Sequence, residues 1–410
     1  MLTRAARLTH VTFDRRRWVI LALALAAALT AIPSISPGPV GSRRIVFIVD
    51  SWYRWSHADV IGRRFLDGYR MGDRSYPAPL TIASVFRDAA VPDDLAPELA
   101  SRYGFRIATS ITDALLEPQS RSRLAADGVL IATREDIPGT RQRQSPVRRV
   151  EVMRDILRIM DQTGTHVPVF IDKMLAATWE DSQAIVGDAA RRGVPLMAGS
   201  VLPFTPLDQP LRTSGVTVGV VIASTPLWAF GFHAAELLQG FMEQRAGRET
   251  GVAEIRDVGA AYLSMPNRDA WGGRVFDALW AAARTRRSRA PSTPILYPQS
   301  VVLLIQYTDG ARGVLALTSE FIDDSEFLLG AQYADGTVAT SGLILRGQPY
   351  DHFGYLVYAL SDFFTTRRPS VPVERTLLTT GVVLFGQQAR QGGALVPRPP
   401  VSYTPARGRR

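Results

Sequence analysis

Val167-Pro-Val-Phe-Ile-Asp-Lys-Met-Leu-Ala-Ala-Thr-Trp-Glu-Asp-Ser-Gln-Ala-Ile185 is the stretch on which the reading of the fold turns. Val167–Ile171 is a short apolar run, the composition of a strand buried on both faces of a parallel sheet, and the residues from Trp179 to Arg192 read as a helix. Between them stand an acid and an amine, Asp172 and Lys173, at the carboxyl end of the strand, where open α/β sheets bind ligands. The amine is conspicuous. Of the 47 basic residues 46 are arginine, and Lys173 is the sole lysine. A lysine ammonium is compact and its pKa moves on burial, which suits proton transfer where a guanidinium does not.

Working outward, the same alternation recurs on both sides. Toward the N-terminus lie strand Ile45–Val49, helix His57–Tyr69, strand Leu80–Ser84, helix Leu95–Tyr103, strand Phe105–Ala108, helix Ile111–Leu116, strand Gly128–Ala132 and helix Val147–Asp161. Beyond Arg192 comes strand Val194–Ala198. Strands alternating with helices at this spacing predict a Rossmann-like doubly wound parallel sheet. After about Ser200 the character changes. Strand Gly215–Ile222, helix Trp228–Arg245, strand Val252–Leu263 and helix Trp271–Arg284 precede four strands, Val301–Tyr307, Gly313–Thr318, Glu326–Tyr333 and Thr340–Arg346. Turns such as Thr308-Asp-Gly-Ala311 and Ala334-Asp-Gly-Thr337 join them, which predicts an α+β domain with an open antiparallel sheet. Helices His352–Thr365 and Val373–Gln391 close it. The organisation expected is therefore an arginine-rich start, apolar helix and linker over 1–42, a Rossmann-like domain over 43–200, an α+β domain over 201–392, and a Pro/Arg-rich tail over 393–410. The tail is expected to be mobile unless a partner orders it.

This order, with Asp172-Lys173-Met174 followed by Leu175-Ala176 at the junction, resembles the glucose–fructose oxidoreductase/inositol dehydrogenase (Gfo/Idh/MocA) family, in which a strand ends in Glu-Lys-Pro before small residues and a helix. Asp94–Gly104, Asp127–Ala132, Gly193–Met197 and Pro372–Leu378 echo the same family, so the resemblance covers about residues 44–392. It implies a dinucleotide-dependent oxidoreductase of sugars or cyclitols. It also places Lys173 at the family's catalytic lysine. A second family element, Asp-x-x-x-His with an acid three residues on, is matched by His233 and Glu236 in Gly231-Phe-His-Ala-Ala-Glu236, but Ala229 stands where the aspartate belongs. The resemblance thus implies Lys173 and His233 as an acid/base pair, intact or vestigial. Read without it, His233 is a histidine at a helix start satisfied by local contacts.

The nucleotide site departs from that pattern. A dinucleotide fold needs glycines after its first strand so that backbone N–H groups approach the pyrophosphate at a helix N-terminus. Here Val49-Asp-Ser-Trp-Tyr-Arg-Trp-Ser-His-Ala-Asp59 follows that strand, with no glycine before Gly62, and Trp52, Tyr53 and Trp55 are expected to fill the phosphate site. No bound cofactor is expected; NAD(P) enters only if the chain works as an oxidoreductase. Asp50, His57, Asp59, Asp88 and Asp172 are predicted near the carboxyl edge of the sheet. They form either a new ligand-binding pocket or a set of solvated loop charges and caps, with Ser56 as N-cap of the first helix. Nucleophile elbows, Walker loops and His-Glu-x-x-His are absent from the sequence.

Composition narrows the function classes. At 410 residues, with 46% apolar and 21% charged content and a mean hydropathy of +0.02, the chain is that of a globular protein of two or three domains. The absence of cysteine excludes disulfides, thiolate metal sites and a cysteine nucleophile. The net charge of +9 comes from arginines scattered over both termini and short clusters, without the aromatic-interleaved stripe that nucleic acid requires. Five arginines precede the apolar run Trp18–Ile32, which reads as a twin-arginine-like export signal or as an uncleaved anchor. Fifteen helical residues span about 22 Å against a core of ~30 Å, and Pro33, Pro37 and Pro39 discourage extension. Both readings put the body on the periplasmic face of the cytoplasmic membrane. The expected function is a membrane-associated, non-catalytic binding or structural subunit, with a membrane complex and a carbohydrate ligand as partners. The alternative is a sugar or polyol enzyme, NAD(P)-dependent or non-redox, using Lys173 and His233.

Overall fold

The computed structural model describes residues 43–133, 148–288, 290–318, 320–393, 395 and 401–405. The apolar segment 18–32 and the arginine-rich start lie outside the described residues. Among the described residues no helix is long and apolar enough to cross a membrane.

Six strands form the first sheet: β1 (Arg44–Val49), β2 (Thr81–Arg87), β3 (Arg106–Ala108), β4 (Gly128–Ala132), β5 (Val169–Asp172) and β6 (Leu196–Gly199). All neighbouring pairs are parallel, in the order β6-β5-β4-β1-β2-β3. The order reverses between β1 and β4, the position where doubly wound sheets open a crevice. The central strands are mostly apolar because helices cover both faces; β4 and β5 are buried at every residue. The helices are α1 (His57–Asp67), α2 (Ala96–Tyr103), α3 (Ile111–Leu115), α4 (Arg149–Thr163) and α5 (Trp179–Arg191). Their ends follow local chemistry. Ser56 and Thr178 cap α1 and α5 by accepting the Asp59 and Asp181 N–H groups, and Gly164 ends α4 in the left-handed conformation.

The second sheet is built from β7 (Val216–Ala223), β8 (Val252–Asp257), β9 (Val301–Tyr307), β10 (Arg312–Leu317), β11 (Glu326–Tyr333) and β12 (Val338–Ile344), in the order β8-β9-β10-β7-β11-β12. The purely antiparallel sheet expected from the turns is corrected to a mixed one, since β7 runs parallel to β10. The cause is α6 (Phe232–Met242), which lies between β7 and β8 in sequence. A helical crossover returns the chain to the end it left, so the β8-β9-β10 meander meets β7 with a parallel edge.

Helix α6 and the closing helix α9 (Val373–Ala389) pack on one face of this sheet in a core continuous with the first. Helix α7 (Gly273–Ala282) covers the other face with Trp271, Phe276 and Trp280. Helix α8 (Phe353–Thr366) packs on α1. Both sheets belong to one compact unit. Two expected elements are shorter than the apolar pattern suggests. The strand predicted to reach Leu263 stops at Asp257, whose carboxylate accepts the Gly259 and Val302 N–H groups at 3.0 and 3.1 Å and turns the chain into a 3-10 helix. The helix predicted from Trp228 starts as a π-helical turn, Leu227–Gly231.

The tail is likewise corrected. Tyr403 exchanges both backbone hydrogen bonds with Glu249, and Leu395 exchanges both with Ile255. Its described residues are bound to the body because Val401 and Tyr403 are buried apolar anchors.

Candidate ligand-binding site

Two cavities open at the carboxyl edge of the first sheet. The smaller, of 270 Å³, is walled by Asp50, Ser51, His57, Thr133, Arg149, Asp172, Lys173 and Trp228, among others. The larger, of 810 Å³, lies between the first sheet's edge and the second sheet and includes His57, His233, His352, Trp55, Tyr350 and Arg346. Trp55 and His57 stand in both walls.

Asp172 ends β5 and is almost fully buried. Its Oδ2 lies 2.6 Å from Nδ1 of His57, the first residue of α1. Pairing with His57 and the nearby Lys173 and Arg149 overcome the cost of burial and hold the Asp172 carboxyl below the usual carboxylate range. An ionised Asp172 can only accept, so Nδ1 of His57 carries the proton and Nε2 is left as the basic nitrogen. Burial lowers the His57 pKa, more than the Asp172 charge raises it.

The next residue turns sharply. Lys173 sits in the left-handed region at φ 70°, its N–H bonded to the Gly199 carbonyl at 2.9 Å and Leu175 N–H bonded to Thr380 Oγ1 at 3.2 Å. These bonds fix a conformation that disfavours a residue with a side chain by roughly 1–3 kcal/mol, and they turn the lysine into the cavity wall. Gly199 is forced: a Cβ there would lie 2.5 Å from Glu236 Oε2. Lys173 Nζ makes no hydrogen bond or ion pair with a described residue. Burial chiefly lowers its pKa, and the Arg149 charge adds to this against the opposing Asp172. Arg149 itself is buried at the start of α4 and donates to Thr133 Oγ1 at 3.2 Å and to the Thr133 and Met174 carbonyls. That cross-brace ties the ends of β4 and β5 together under the lysine.

His233 and His352 complete the larger cavity. Nδ1 of each is buried without a hydrogen-bond partner among the described residues. Burial drives the His233 pKa well below 6.5 and brings that of His352 down to about 4. Three of the chain's five histidines thus converge on one cleft, yet among the described residues no group of three His, Asp or Glu is placed to hold a metal ion.

The other expected site residues are elsewhere. Asp50 lines the small cavity. Asp88 stands behind it, its carboxyl pKa raised by burial and by Asp50. Asp59 turns away from the cavity and accepts from Trp52 Nε1 at 3.2 Å and Trp55 N–H at 3.0 Å. Glu236 is buried one turn beyond His233, where it accepts from Ser200 N–H and Thr379 Oγ1 at 3.2 and 2.6 Å and joins α6 to α9. His352 and Arg149 were not singled out from the sequence. In the sequence Arg149 stands beside Arg148 with nothing to mark which of the two is buried, whereas the rarity of histidine is a usable signal for His352.

The loop before α1 departs from the glycine-rich pattern of a dinucleotide site. In this loop Trp52 is fully buried, stacked on Phe105 at 6.0 Å and edge-on to Phe47 at 5.4 Å, while Ser51, Tyr53, Ser56, His57 and Ala58 line the small cavity. Ser56 caps α1 by accepting the Asp59 N–H, and the Asp59 carboxylate is turned back onto Trp52 Nε1 and Trp55 N–H.

No family model and no curated protein matches the chain. Solved structures do. GenD2 from gentamicin A biosynthesis, determined in complex with NAD, superposes with a TM-score of 0.53 at 14% identity over 87% of this chain and 96% of its own. The apo scyllo-inositol dehydrogenase of Lactobacillus casei gives 0.53 at 10% identity, covering 87% and 98%. A putative myo-inositol dehydrogenase of Sinorhizobium meliloti gives 0.51 at 12%, covering 87% and 99%. The fold of this chain is that of the Gfo/Idh/MocA-type oxidoreductases, as the Asp172-Lys173 junction implied.

Proposed function

We propose that the protein binds a polyhydroxylated, carbohydrate-class ligand in the cleft between its sheets and does so without a dinucleotide. The observation that carries this is the loop before α1, which has no glycine and in which Trp52 Nε1 and Trp55 N–H bond the Asp59 carboxylate. The cleft has the chemistry such a ligand needs. Trp55, Phe230, Tyr350 and Phe353 offer apolar faces to sugar C–H groups, and Asp323, Asp324 and Arg346 offer partners to hydroxyls. Two of the structural neighbours are named as inositol dehydrogenases, and a cyclitol is a ligand of this class.

The arginine-rich start and the apolar run 18–32 support a location at the periplasmic face of the membrane, anchored or released, and service as a binding subunit of a membrane assembly. The test is isothermal titration of the purified chain with NAD⁺, NADP⁺ and a panel of cyclitols and monosaccharides. Heat from a cyclitol or sugar with none from either dinucleotide is expected. Saturable binding of NAD⁺ or NADP⁺ would return the chain to the oxidoreductases, with Lys173 and His233 as its acid/base pair.

A further inference from the structure

A binding protein has no use for the group that stands most exposed to chemistry in the small cavity. Lys173 is the only lysine of the chain, faces a 270 Å³ pocket, and is half-buried with no ion-pair partner for Nζ among the described residues. A lysine becomes a nucleophile at neutral pH when it is desolvated or set beside another cation. Both conditions are met, because Arg149 shares the wall and spends its donors on Thr133 and Met174. The left-handed backbone at φ 70° keeps the amine on this course. Beside it stands His57, its proton on Nδ1 directed at Asp172 and its Nε2 without a hydrogen bond among the described residues.

We propose that Lys173 forms a reversible imine with the carbonyl carbon of a small hydroxylated aldehyde or ketone, and that the His57–Asp172 pair moves the protons. The Nζ lone pair attacks the carbonyl carbon, a C–N bond forms, and the carbonyl π pair moves to oxygen. His57 Nε2 takes the proton released from nitrogen and delivers it to that oxygen. A second proton passes along the same path from nitrogen, the C–O bond breaks, water leaves, and the nitrogen lone pair closes C=N. Amine and carbonyl become imine and one water, with no oxidant or reductant. The carbonyl end enters the small cavity, while the hydroxylated remainder extends past Trp55 and His57 into the larger one. An open-chain aldose or ketose has this shape.

This inference rests on the dinucleotide-free reading of the cleft, and the two fail separately. The full chain is incubated at pH 7 with dihydroxyacetone or glycolaldehyde and sodium cyanoborohydride, which reduces a C=N bond to a stable secondary amine, and the adduct is located by intact mass and peptide mapping. The only competing amine is the α-amino group, so the assignment is unambiguous. Labelling of Lys173 at least about tenfold faster than in the guanidinium-unfolded chain is expected, since each unit of pKa lowering raises the amine fraction about tenfold. In Asp172→Asn that rate should drop severalfold with the circular dichroism spectrum unchanged, and in Lys173→Arg the internal adduct should vanish. Labelling no faster than in the unfolded chain would overturn the imine, and an unaltered rate in Asp172→Asn would remove His57–Asp172 from it. Titration of the same preparation with NAD⁺ and NADP⁺ tells whether the parent reading has failed as well.

Discussion

His57 Nδ1 and Asp172 Oδ2 meet at 2.6 Å across 115 positions of sequence, joining the first turn of α1 to the end of β5. The pair bridges the place where the first helix of this fold would face a nucleotide. Burial and the charges of Lys173 and Arg149 lower the His57 pKa, and Asp172 alone raises it. Asp172→Asn removes the raising charge, so the His57 titration midpoint should move to lower pH. Histidine side-chain NMR on selectively labelled protein measures this directly, with His166, held by Asp161 at 3.0 Å on the surface, as internal control. An upward shift would mean that the carboxylate is not the group that governs the imidazole.

Gly62 is the counterpart of Trp52. A Cβ at position 62 would lie 2.6 Å from the indole and 2.7 Å from Phe47, so Gly62→Ala forces a rigid ring stack apart. The expected loss is about 1–3 kcal/mol, the range for overpacking a core. Trp52→Ala should cost about 3–5 kcal/mol through the cavity it leaves. Combined, they should cost less than the sum, since each relieves the clash or void created by the other. Urea unfolding of the four variants in the cycle measures the coupling, and strict additivity would contradict the contact.

The fold was legible in the sequence because strand and helix periods, caps and breakers agree over 43–200, and the helix ends fell within a few residues of Gly68, Gly104 and Gly164. Parallel pairing of β7 and β10 was not, because hairpin turns announce antiparallel neighbours while the partner of a strand before a crossover is set by packing. In the site, the uniqueness of Lys173 and the missing glycines were readable as composition. That His57 reaches Asp172, that Asp59 turns back to Trp52, and that Glu236 is a brace between α6 and α9 are facts of side-chain direction, which residue spacing does not encode.

The buried histidines set an acid limit on stability. His352, facing Arg64 and His57, has its pKa lowered to about 4, and His233, facing Lys173, His57, Asp172 and His352, is lowered further from 6.5. Between pH 6.5 and these lowered values the unfolded chain binds protons that the folded chain does not, so stability falls as pH drops through that window and recovers above it. For His352 alone the loss between pH 7.5 and 4.5 is roughly 2–3 kcal/mol. Urea midpoints at the two pH values should show a smaller difference in His352→Gln than in the parent chain. An equal difference would assign the acid sensitivity to other groups.

Tyr403 gives the last prediction. Its hydroxyl donates to Glu243 Oε2 at 2.7 Å and accepts from Gln239 Nε2 at 2.9 Å, inside a buried network in which Arg375 and Glu243 are paired and Arg245 meets Glu249 at 2.8 Å. Glu243 and Glu249 have no exposed surface, so every donor they keep offsets the cost of a desolvated carboxylate. Tyr403→Phe removes one charge-assisted bond but leaves the ring and the backbone pairing with Glu249, and should cost about 1.5–3 kcal/mol. Ending the chain at residue 400 removes the bond, the ring and both backbone bonds, and lets water reach the network; it should cost more than Tyr403→Phe. Thermal unfolding of the two variants orders the effects. A truncated chain as stable as the parent would mean that the tail rests on the body without contributing to it, and that the glutamate network is satisfied from within.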